Sequence, residues 1–230
     1  MRGVTYRRAT PDELAKGAPI FASLASLCAV CLCEPRGQRE LQVLISAQRD
    51  SLADAFAGPA RRQRDAVGRS AIWLASAPDG SLVGTCGVQT VVMSPEGETR
   101  MTRVNKPMLE VRPLLSNLVV APEWRRCGVA SRLLQESESM SRAWGFDEML
   151  LKVEASNTAA IQMYLRGGYV TVGIDTRAER PRAGLMRVQW ERTTLVCMRK
   201  RLPAPDVMDA GSSEGEVEVG LVLPRGECEW

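Results

Sequence analysis

The sequence contains no histidine among its 230 residues. This absence excludes the Ser-His-Asp and Cys-His mechanisms, and with them every metal site that uses imidazole ligands. Acid–base chemistry in this protein therefore depends on Glu, Asp, Tyr, Lys, Cys or water. The sequence also lacks an apolar run long enough to span a membrane, so we expect neither a transmembrane segment nor a membrane partner.

Aromatic residues are scarce and charge is unevenly distributed. The chain has only three Phe and three Tyr, which disfavours a nucleic-acid-binding module with aromatics between basic residues, and we expect no nucleic-acid partner. Residues 1–202 carry a net charge of +9, whereas residues 203–230 carry −6 and have the composition of a disordered segment. We therefore expect one domain over 1–202 and an acidic, disordered tail over 203–230.

The seven cysteines are odd in number and have no regular spacing, which argues against a disulfide framework and indicates a reducing compartment. The segment CAVCLC, which holds Cys28, Cys31 and Cys33, resembles half of a zinc site. No second CxxC and no histidine exist to complete four ligands. We interpret the segment as a partly buried helix end and expect no metal.

The first half of the chain predicts helices followed by a hairpin. Thr10, Pro11 and Glu13 form a capping box that predicts a helix to about Leu27. Helical spacing of apolar residues predicts a second helix, which is followed by a basic loop, a β-hairpin around Pro-Asp-Gly, a polar loop or lid, and a nearly continuous apolar strand. These segments are Arg39–Phe56, 58–68, 70–93, 94–113 and Leu114–Val120.

The second half predicts strands and helices in alternation. A helix ends at about Trp144 and precedes a strand over Glu148–Ala155, and the segment SNTAAIQMYLRGG predicts a short helix. YVTVGI and TTLVCMRKRL are predicted strands, joined by an Arg-rich connection over 175–192. The whole pattern favours an α/β (mixed α+β) fold in which one mixed sheet has helices on both faces.

The stretch APEWRRCGVASRLL, residues 121–134, places two arginines and a glycine where a strand gives way to a helix. The first N–H groups of a helix lack internal partners and face the positive end of its dipole, so this junction favours an anion. Gly128 permits close approach to the backbone, and Arg125 and Arg126 add charged donors. The motifs of P-loop NTPases and of Rossmann dinucleotide sites are absent. A phosphate or pyrophosphate fits; the alternative is a capped surface helix with solvated arginines.

The stretch VVAPEWRRCGVASRLL resembles the acetyl-CoA signature R/Q-x-x-G-x-G/A of the Gcn5-related N-acetyltransferases (GNAT), with Arg125, Gly128 and Ala130 at its three positions. The resemblance implies that backbone amides of this loop bind the CoA pyrophosphate and that the preceding strand pairs with the pantetheine arm. The cofactor-binding residues that it implies here are Leu118, Val119, Val120, Arg125, Arg126, Cys127, Gly128, Val129, Ala130 and Ser131.

A second block, NTAAIQMYLRGGY, is similar to the family pattern N-x-x-A-x-x-x-Y-x-x-x-G-F/Y. The resemblance implies that Asn157, with Thr158 and Ala159, lies near the pantetheine. It also implies that Tyr164 lies near the CoA sulfur and is the general acid for the departing thiolate. A tyrosine of ordinary pKa, about 10, suits that role. The alternative for Tyr164 is a packing residue on an amphipathic helix.

The resemblance implies a GNAT fold with a central, largely antiparallel sheet of six to seven strands. It implies an acetyl-CoA-dependent N-acetyltransferase that acts on a primary amine by direct attack. The narrower resemblance is to plastid acetyltransferases of plants and algae, which implies protein N-termini or lysines as acceptors and a chloroplast location. The alternatives are an arylalkylamine acetyltransferase or a non-catalytic CoA sensor, and, since no transit peptide is visible, a cytoplasmic location. The base is Glu110, Glu154 or a water held by Ser116 or Asn117.

Overall fold

The computed structural model describes residues 3–15, 18–33, 35, 37–56, 68–97, 109–183 and 188–203. Seven strands form one sheet in the order β1-β2-β3-β4-β5-β7-β6, and four α-helices lie against it in this part of the chain. The elements are β1 (Thr5–Arg8), α1 (Pro19–Cys33), α2 (Gln38–Phe56), β2 (Ser70–Ser76), β3 (Leu82–Met93), β4 (Glu110–Val120), α3 (Val129–Ala143), β5 (Glu148–Glu154), α4 (Thr158–Arg166), β6 (Val170–Ala183) and β7 (Val188–Arg201).

The sheet is mixed and largely antiparallel, as the sequence predicts. Only β4 and β5 run parallel to each other, because α3 carries the chain back across the sheet between them. Every other neighbouring pair is antiparallel. The parallel pair therefore lies at the centre of the sheet, where the strand before α3 ends.

Helices cover both faces of the sheet. α1 and α2 pack on one face, where Phe21, Leu24, Leu52 and Phe56 meet Ile72 and Leu74 of β2. α3 and α4 cover the other face with a larger core. Its buried members include Ala71, Ala75, Val83, Cys86, Val88, Leu115, Val129, Leu133, Leu134, Met149, Leu151, Val153, Tyr164 and Tyr169. Successive strand residues point to opposite faces, so β2 supplies both cores from alternating positions.

The predicted first helix is wrong in its bounds. The capping box does form, since the Glu13 N–H donates to the Thr10 hydroxyl at 3.3 Å and the Thr10 N–H donates to the Glu13 carboxylate at 2.9 Å. Only turns follow over residues 11–15, and the helix runs instead from Pro19 to Cys33. Proline is unfavourable inside a helix but suits its first position, which explains why the helix begins at Pro19.

Two further boundaries differ from the prediction. β4 begins at Glu110 rather than Leu114, and Pro113 lies within it opposite Thr90. The Arg-rich connection predicted over 175–192 consists largely of strand, because β6 and β7 continue through it as a paired ribbon as far as Ala183 opposite Val188. Cross-strand Arg–Glu pairs stabilise this ribbon, and nothing in its hydrophobicity predicts a strand. The segments 57–67 and 98–108 lie outside the described residues.

No single helix of the described residues is long and apolar enough to cross a membrane. α1 and α2 pass that test only as a pair, which is bent by 115° at the break between them. Of the predicted acidic tail, only Pro203 belongs to the described residues, so the division of the chain at residue 202 stays a prediction.

Candidate functional site

β4 and β5 part from each other near the middle of the sheet. They pair only at Leu114 with Leu150 and at Leu115 with Leu151. Beyond these positions β4 continues to Val120 beside β3, while β5 continues to Glu154 beside β7. The two parallel strands therefore enclose a cleft that widens toward their C-terminal ends.

A β-bulge lies at the point where the strands part. Ser116 pairs with Gly87 and Val119 pairs with Thr85, so two residues of β4 stand opposite one residue of β3. Asn117, inside the bulge, has φ of 51°, a left-handed conformation that asparagine tolerates better than most residues. Bulges redirect side chains and bend the strand next to active sites, and this one turns the end of β4 away from β5.

The backbone of the β4 end faces the cleft. The Ala121 N–H donates to the Val83 carbonyl of β3 at 2.9 Å, so alternation along the strand points the peptide groups of Val120 and Leu118 toward the cleft. The Val120 carbonyl accepts hydrogen bonds from Arg125 Nε at 3.3 Å and from the Cys31 thiol at 3.8 Å. Apart from the Val120 carbonyl, these peptide groups lie on a strand edge that β5 leaves unpaired, along which an extended ligand can bind.

The N-terminus of α3 closes one end of the cleft. Arg126 and Gly128 both have positive φ, 64° and 80°, and Gly128 occupies the N-cap position without a side chain to cap the helix. The first helical bond runs from the Arg132 N–H to the Gly128 carbonyl, so the N–H groups of Val129, Ala130 and Ser131 have no acceptor within the helix.

Charge and exposure at this terminus also favour an anion. Residues 125–128 are exposed, and Ala130 is only partly buried. No acidic side chain of the described residues forms an ion pair with Arg125 or Arg126. Free amides, a positive dipole end and two guanidinium groups without a described acidic partner together favour an anion.

α4 lies beyond the end of β5, on the same face as α3. Asn157 is its N-cap, and its side-chain oxygen accepts a hydrogen bond from the Ala160 N–H at 3.1 Å. Asn157, Thr158 and Ala159 are exposed. Tyr164, about two helical turns after Asn157, is buried in the core that contains Val129 and against which Leu118 and Val120 pack. The structure thus brings the second sequence block beside the first.

Tyr164 has an apolar environment. Burial is the main cause that raises the pKa of its hydroxyl, with a smaller contribution from Cys86. No hydrogen bond joins this hydroxyl to another residue of the described chain. Burial likewise raises the pKa of the Cys86 thiol, to about 12. The phenol therefore keeps its proton at neutral pH.

Tyr169 supports Tyr164 and is itself held firmly. Their rings meet edge to face with 5.7 Å between centroids. The Tyr169 hydroxyl donates to the buried Glu138 carboxylate at 3.1 Å, and Lys200 Nζ donates to both oxygens of Glu138 at 2.9 and 2.8 Å. Burial first, and then the Glu138 charge, raise the pKa of Tyr169. This network ties α3, the end of α4 and β7 together beneath the cleft.

The two candidate carboxylates lie at opposite ends of the central strands. Glu110 begins β4 and forms an ion pair of 2.7 Å with Arg112, which also pairs with the buried Glu148. Eight residues of strand separate Glu110 from Leu118, about 26 Å at 3.3 Å per residue. Glu110 therefore lies outside the cleft.

Glu154 ends β5 at the open side of the cleft, where it accepts a hydrogen bond from Arg180 at 3.1 Å and one from Ser156 at 3.4 Å. Its carboxylate is only partly exposed, since the side chain retains 26% of its accessible surface. Nothing in the sequence connects Arg180 with Glu154, because the ribbon that brings them together was predicted only as an Arg-rich connection between two strands. Of the two carboxylates, only Glu154 is placed to act at the cleft.

The cysteine-rich end of α1 also borders the cleft. Cys28 is buried, whereas Cys31 and Cys33 are half-buried, in agreement with the predicted, partly buried helix end. Burial raises the pKa of both half-buried thiols, and Arg125 partly offsets that effect on Cys31. No three metal-ligating side chains are grouped within the described ranges. The contact of Cys31 with Val120 is a feature that sequence reasoning missed.

The arrangement has the parts that an extended, anionic acyl carrier requires. It offers an anion site at one end, a strand edge along the middle and a buried phenol near the point where the strands part. The residues are drawn from β4 and the β4–α3 junction, which are contiguous, and from α4, which begins only at Thr158.

The comparisons with known proteins agree with this geometry. The model of the acetyltransferase (GNAT) family matches residues 46–169, more than half of the chain. GCN5-related N-acetyltransferase 7, chloroplastic, from Arabidopsis thaliana is 36% identical over 58 residues, which cover 25% of this chain and 21% of that relative. The match thus spans about a fifth of the curated relative's length.

Two solved structures show the same fold. The ribosomal-protein-S18-alanine N-acetyltransferase from Escherichia coli has a TM-score of 0.55 and 14% identity, over 89% of this chain and 98% of the other. Naa20 from Chaetomium thermophilum, in complex with a bisubstrate analogue, has a TM-score of 0.53 and 19% identity, over 92% and 94%. At these identities the likeness is one of fold, and it confirms the predicted architecture.

Proposed function

Because the chain belongs to the acetyltransferase (GNAT) family, we propose that it is an acetyl-CoA-dependent N-acetyltransferase acting on primary amines of proteins, N-terminal α-amines or lysine ε-amines. An N-acetyltransferase is also the enzyme class that the sequence predicts. The observation that carries the proposal is the cleft between β4 and β5, with the uncapped N-terminus of α3 at its end.

We assign the binding residues from this cleft. The amides of Val129, Ala130 and Ser131 bind the CoA pyrophosphate, assisted by Arg125 and Arg126. Leu118 and Val120 present their peptide groups to the pantetheine arm. Thr158 and Ala159 border the arm from the start of α4, and Asn157 fixes that start by capping the helix. Cys127 and Gly128 contribute backbone only.

We assign the proton-handling residues as follows. Acetyl-CoA supplies an acetyl thioester, which the neutral amine attacks directly. Tyr164 holds the proton that the departing thiolate takes. Burial raises the pKa of Tyr164. Burial also raises the pKa of a thiol, as it does for Cys86, to about 12. A CoA thiolate that leaves within the cleft is therefore also more basic than in water, and it can take the proton from Tyr164. The amine's proton passes to Glu154 or to water.

The acceptor class rests on two solved neighbours, of which one has a name that states its substrate. The Escherichia coli neighbour acts on the alanine of ribosomal protein S18, and the Chaetomium neighbour was solved with a bisubstrate analogue. Together with the similarity to a chloroplastic relative, these names support a protein amine as acceptor and a plastid location. A fluorescent fusion of the full-length gene product in plant cells tests the location, and cytoplasmic fluorescence would contradict it.

The decisive experiment combines calorimetry with mass spectrometry. Purified protein is titrated with acetyl-CoA and with CoA, and is then incubated with acetyl-CoA, a peptide library and serotonin. We expect binding and acetylation of peptide amines. Absence of binding to both acetyl-CoA and CoA would refute the proposal. Binding without transfer, unaffected by Tyr164→Phe, would indicate a CoA sensor, and transfer to serotonin but not to peptides would indicate an arylalkylamine acetyltransferase.

A further inference from the structure

The Ser116 hydroxyl is a buried polar group without a partner. Its oxygen is inaccessible to solvent and forms no hydrogen bond within the described structure. An unsatisfied buried hydroxyl is costly, and proteins keep such groups chiefly where a ligand or a bound water completes the hydrogen bond. Ser116 is the first residue of β4 beyond the last pairing with β5, so this hydroxyl lies where the cleft begins.

The side chain of Ser116 lies on the α1/α2 face of the sheet. A Cβ built on Gly87, its partner in β3, would lie 3.1 Å from the Ser116 hydroxyl and 2.5 Å from the tip of the Phe56 ring. Phe56 ends α2 and belongs to the core beneath α1 and α2. The absence of a side chain at Gly87 therefore lets Phe56 and the Ser116 hydroxyl share one small space on this face.

Tyr164 lies on the opposite face. It belongs to the core beneath α3 and α4, together with Cys86, Leu115 and Val129. The bulge at Asn117 follows Ser116 directly in β4 and bends the strand at this point. A group bound within the cleft thus has the Tyr164 phenol on one face of the sheet and the Ser116 hydroxyl on the other.

We propose that the Ser116 hydroxyl binds the acceptor amine, which reaches it from the α1/α2 face when the Phe56 ring moves aside. The inference rests on the proposed function and adds the acceptor side of the site to it. A neutral amine donates one N–H to the Ser116 oxygen and keeps its lone pair free for the acetyl group. Tyr164, which holds the proton for the leaving thiolate, is then not in the path of the incoming amine.

Ser116→Ala tests the assignment, with Ser141→Ala as the matched control. Ser141 is fully buried, and its hydroxyl donates to the Ser137 carbonyl at 3.0 Å on the opposite face, under α3. We expect Ser116→Ala to raise KM for the amine and to lower kcat/KM about tenfold, as loss of one hydrogen bond to substrate predicts. CoA affinity should stay within about twofold of wild type.

Thermal unfolding supplies a readout independent of activity. Ser116→Ala removes an unsatisfied group, so its melting temperature should equal or exceed that of wild type, whereas Ser141→Ala loses a satisfied bond and should melt lower with unchanged kinetics. Ser116→Thr, which keeps the hydroxyl, should recover part of the amine KM.

Three outcomes would overturn the assignment. If the wild type is active and Ser116→Ala has the same amine KM and kcat/KM, the role of Ser116 is refuted but the proposed function is not. The role of Ser116 is refuted as well if Ser116→Ala loses CoA affinity to the same extent as amine affinity. A wild type that transfers acetyl to no amine would refute the proposed function and this inference together.

Discussion

The Tyr164 and Tyr169 rings meet edge to face, and the second ring is anchored through its hydroxyl to the buried Glu138. Tyr169 therefore limits the positions that the Tyr164 ring can adopt, although Tyr164 itself makes no side-chain hydrogen bond in the described structure. The hydroxyl without a hydrogen bond is that of Tyr164, the proposed general acid, whereas the hydrogen-bonded hydroxyl is that of Tyr169, whose ring supports Tyr164.

This difference predicts opposite effects for two identical substitutions. Tyr164→Phe should lower kcat by about a hundredfold or more, with little change in KM for acetyl-CoA and little loss of stability, because it removes a proton donor but no hydrogen bond. Tyr169→Phe should keep most of kcat but lower the free energy of unfolding by about 1–3 kcal/mol, since Glu138 loses a buried donor. Steady-state kinetics and urea unfolding of both variants check the pair. Equal kinetic effects would contradict the assigned roles.

Gly128 tests the anion site through backbone conformation. Gly128→Ala places a side chain at φ of 80°, which should cost about 1–2 kcal/mol of stability or shift the loop out of the left-handed region. Because the N–H groups after Gly128 would then lose their alignment, CoA affinity measured by calorimetry should fall about tenfold.

Gly145→Ala is the control. Gly145 also has a positive φ, of 90°, and open space around its Cβ position, but it lies just after the C-terminal end of α3. It should show a similar loss of stability with unchanged CoA affinity. Equal loss of affinity in both variants would mean that the Gly128 effect is one of general stability.

The close contact at Gly87 predicts a repairable clash. Gly87→Ala would bring a Cβ to 2.5 Å from the Phe56 ring, which overpacking makes unfavourable by about 1–3 kcal/mol. Adding Phe56→Leu removes the ring tip and should recover a large part of the lost stability. A double-mutant cycle by chemical unfolding measures this coupling, and additive effects would show that the ring does not limit the space.

Burial of the Cys86 thiol predicts an alkaline loss of stability. Its pKa rises from 9.0 to about 12 on folding, so the folded state binds more protons than the unfolded state between these values. The contribution is fully present below about pH 9 and is lost as pH rises toward 12, at a slope of about 1.4 kcal/mol per pH unit. Cys86→Ala should flatten that dependence in unfolding experiments from pH 8 upward. Cys127→Ala, at an exposed position, should leave it unchanged.

Several features of the site could be predicted from local sequence. The strand–turn–helix junction at residues 121–134 forms where the pattern predicts it, because the apolar run, the glycine and the helical spacing act within a few residues of one another. The helix with Asn157 as its cap is similarly local. The first helix was predicted wrongly because its capping box, although formed, is followed by only a single set of turns.

The charged ribbon over 175–192 illustrates what local sequence misses. Its strands gain stability from Arg180 and Arg182 paired with Glu191, which are cross-strand contacts between residues about ten positions apart. A pattern of apolar residues along the sequence does not reveal such cross-strand ion pairs. The bond between Arg180 and Glu154 depends in turn on that ribbon.

The sequence by itself determined the fold family, the order of the elements and the two blocks that carry the proposed cofactor site, because helix caps, glycines and apolar spacing act over short distances. Only the tertiary structure decided which face each side chain occupies. It placed Glu110 outside the cleft and Glu154 at its opening, left the Ser116 hydroxyl without a partner and set Tyr164 on the opposite face. These relationships depend on strand register and on one extra residue in β4, and a shift of a single residue would reverse the faces.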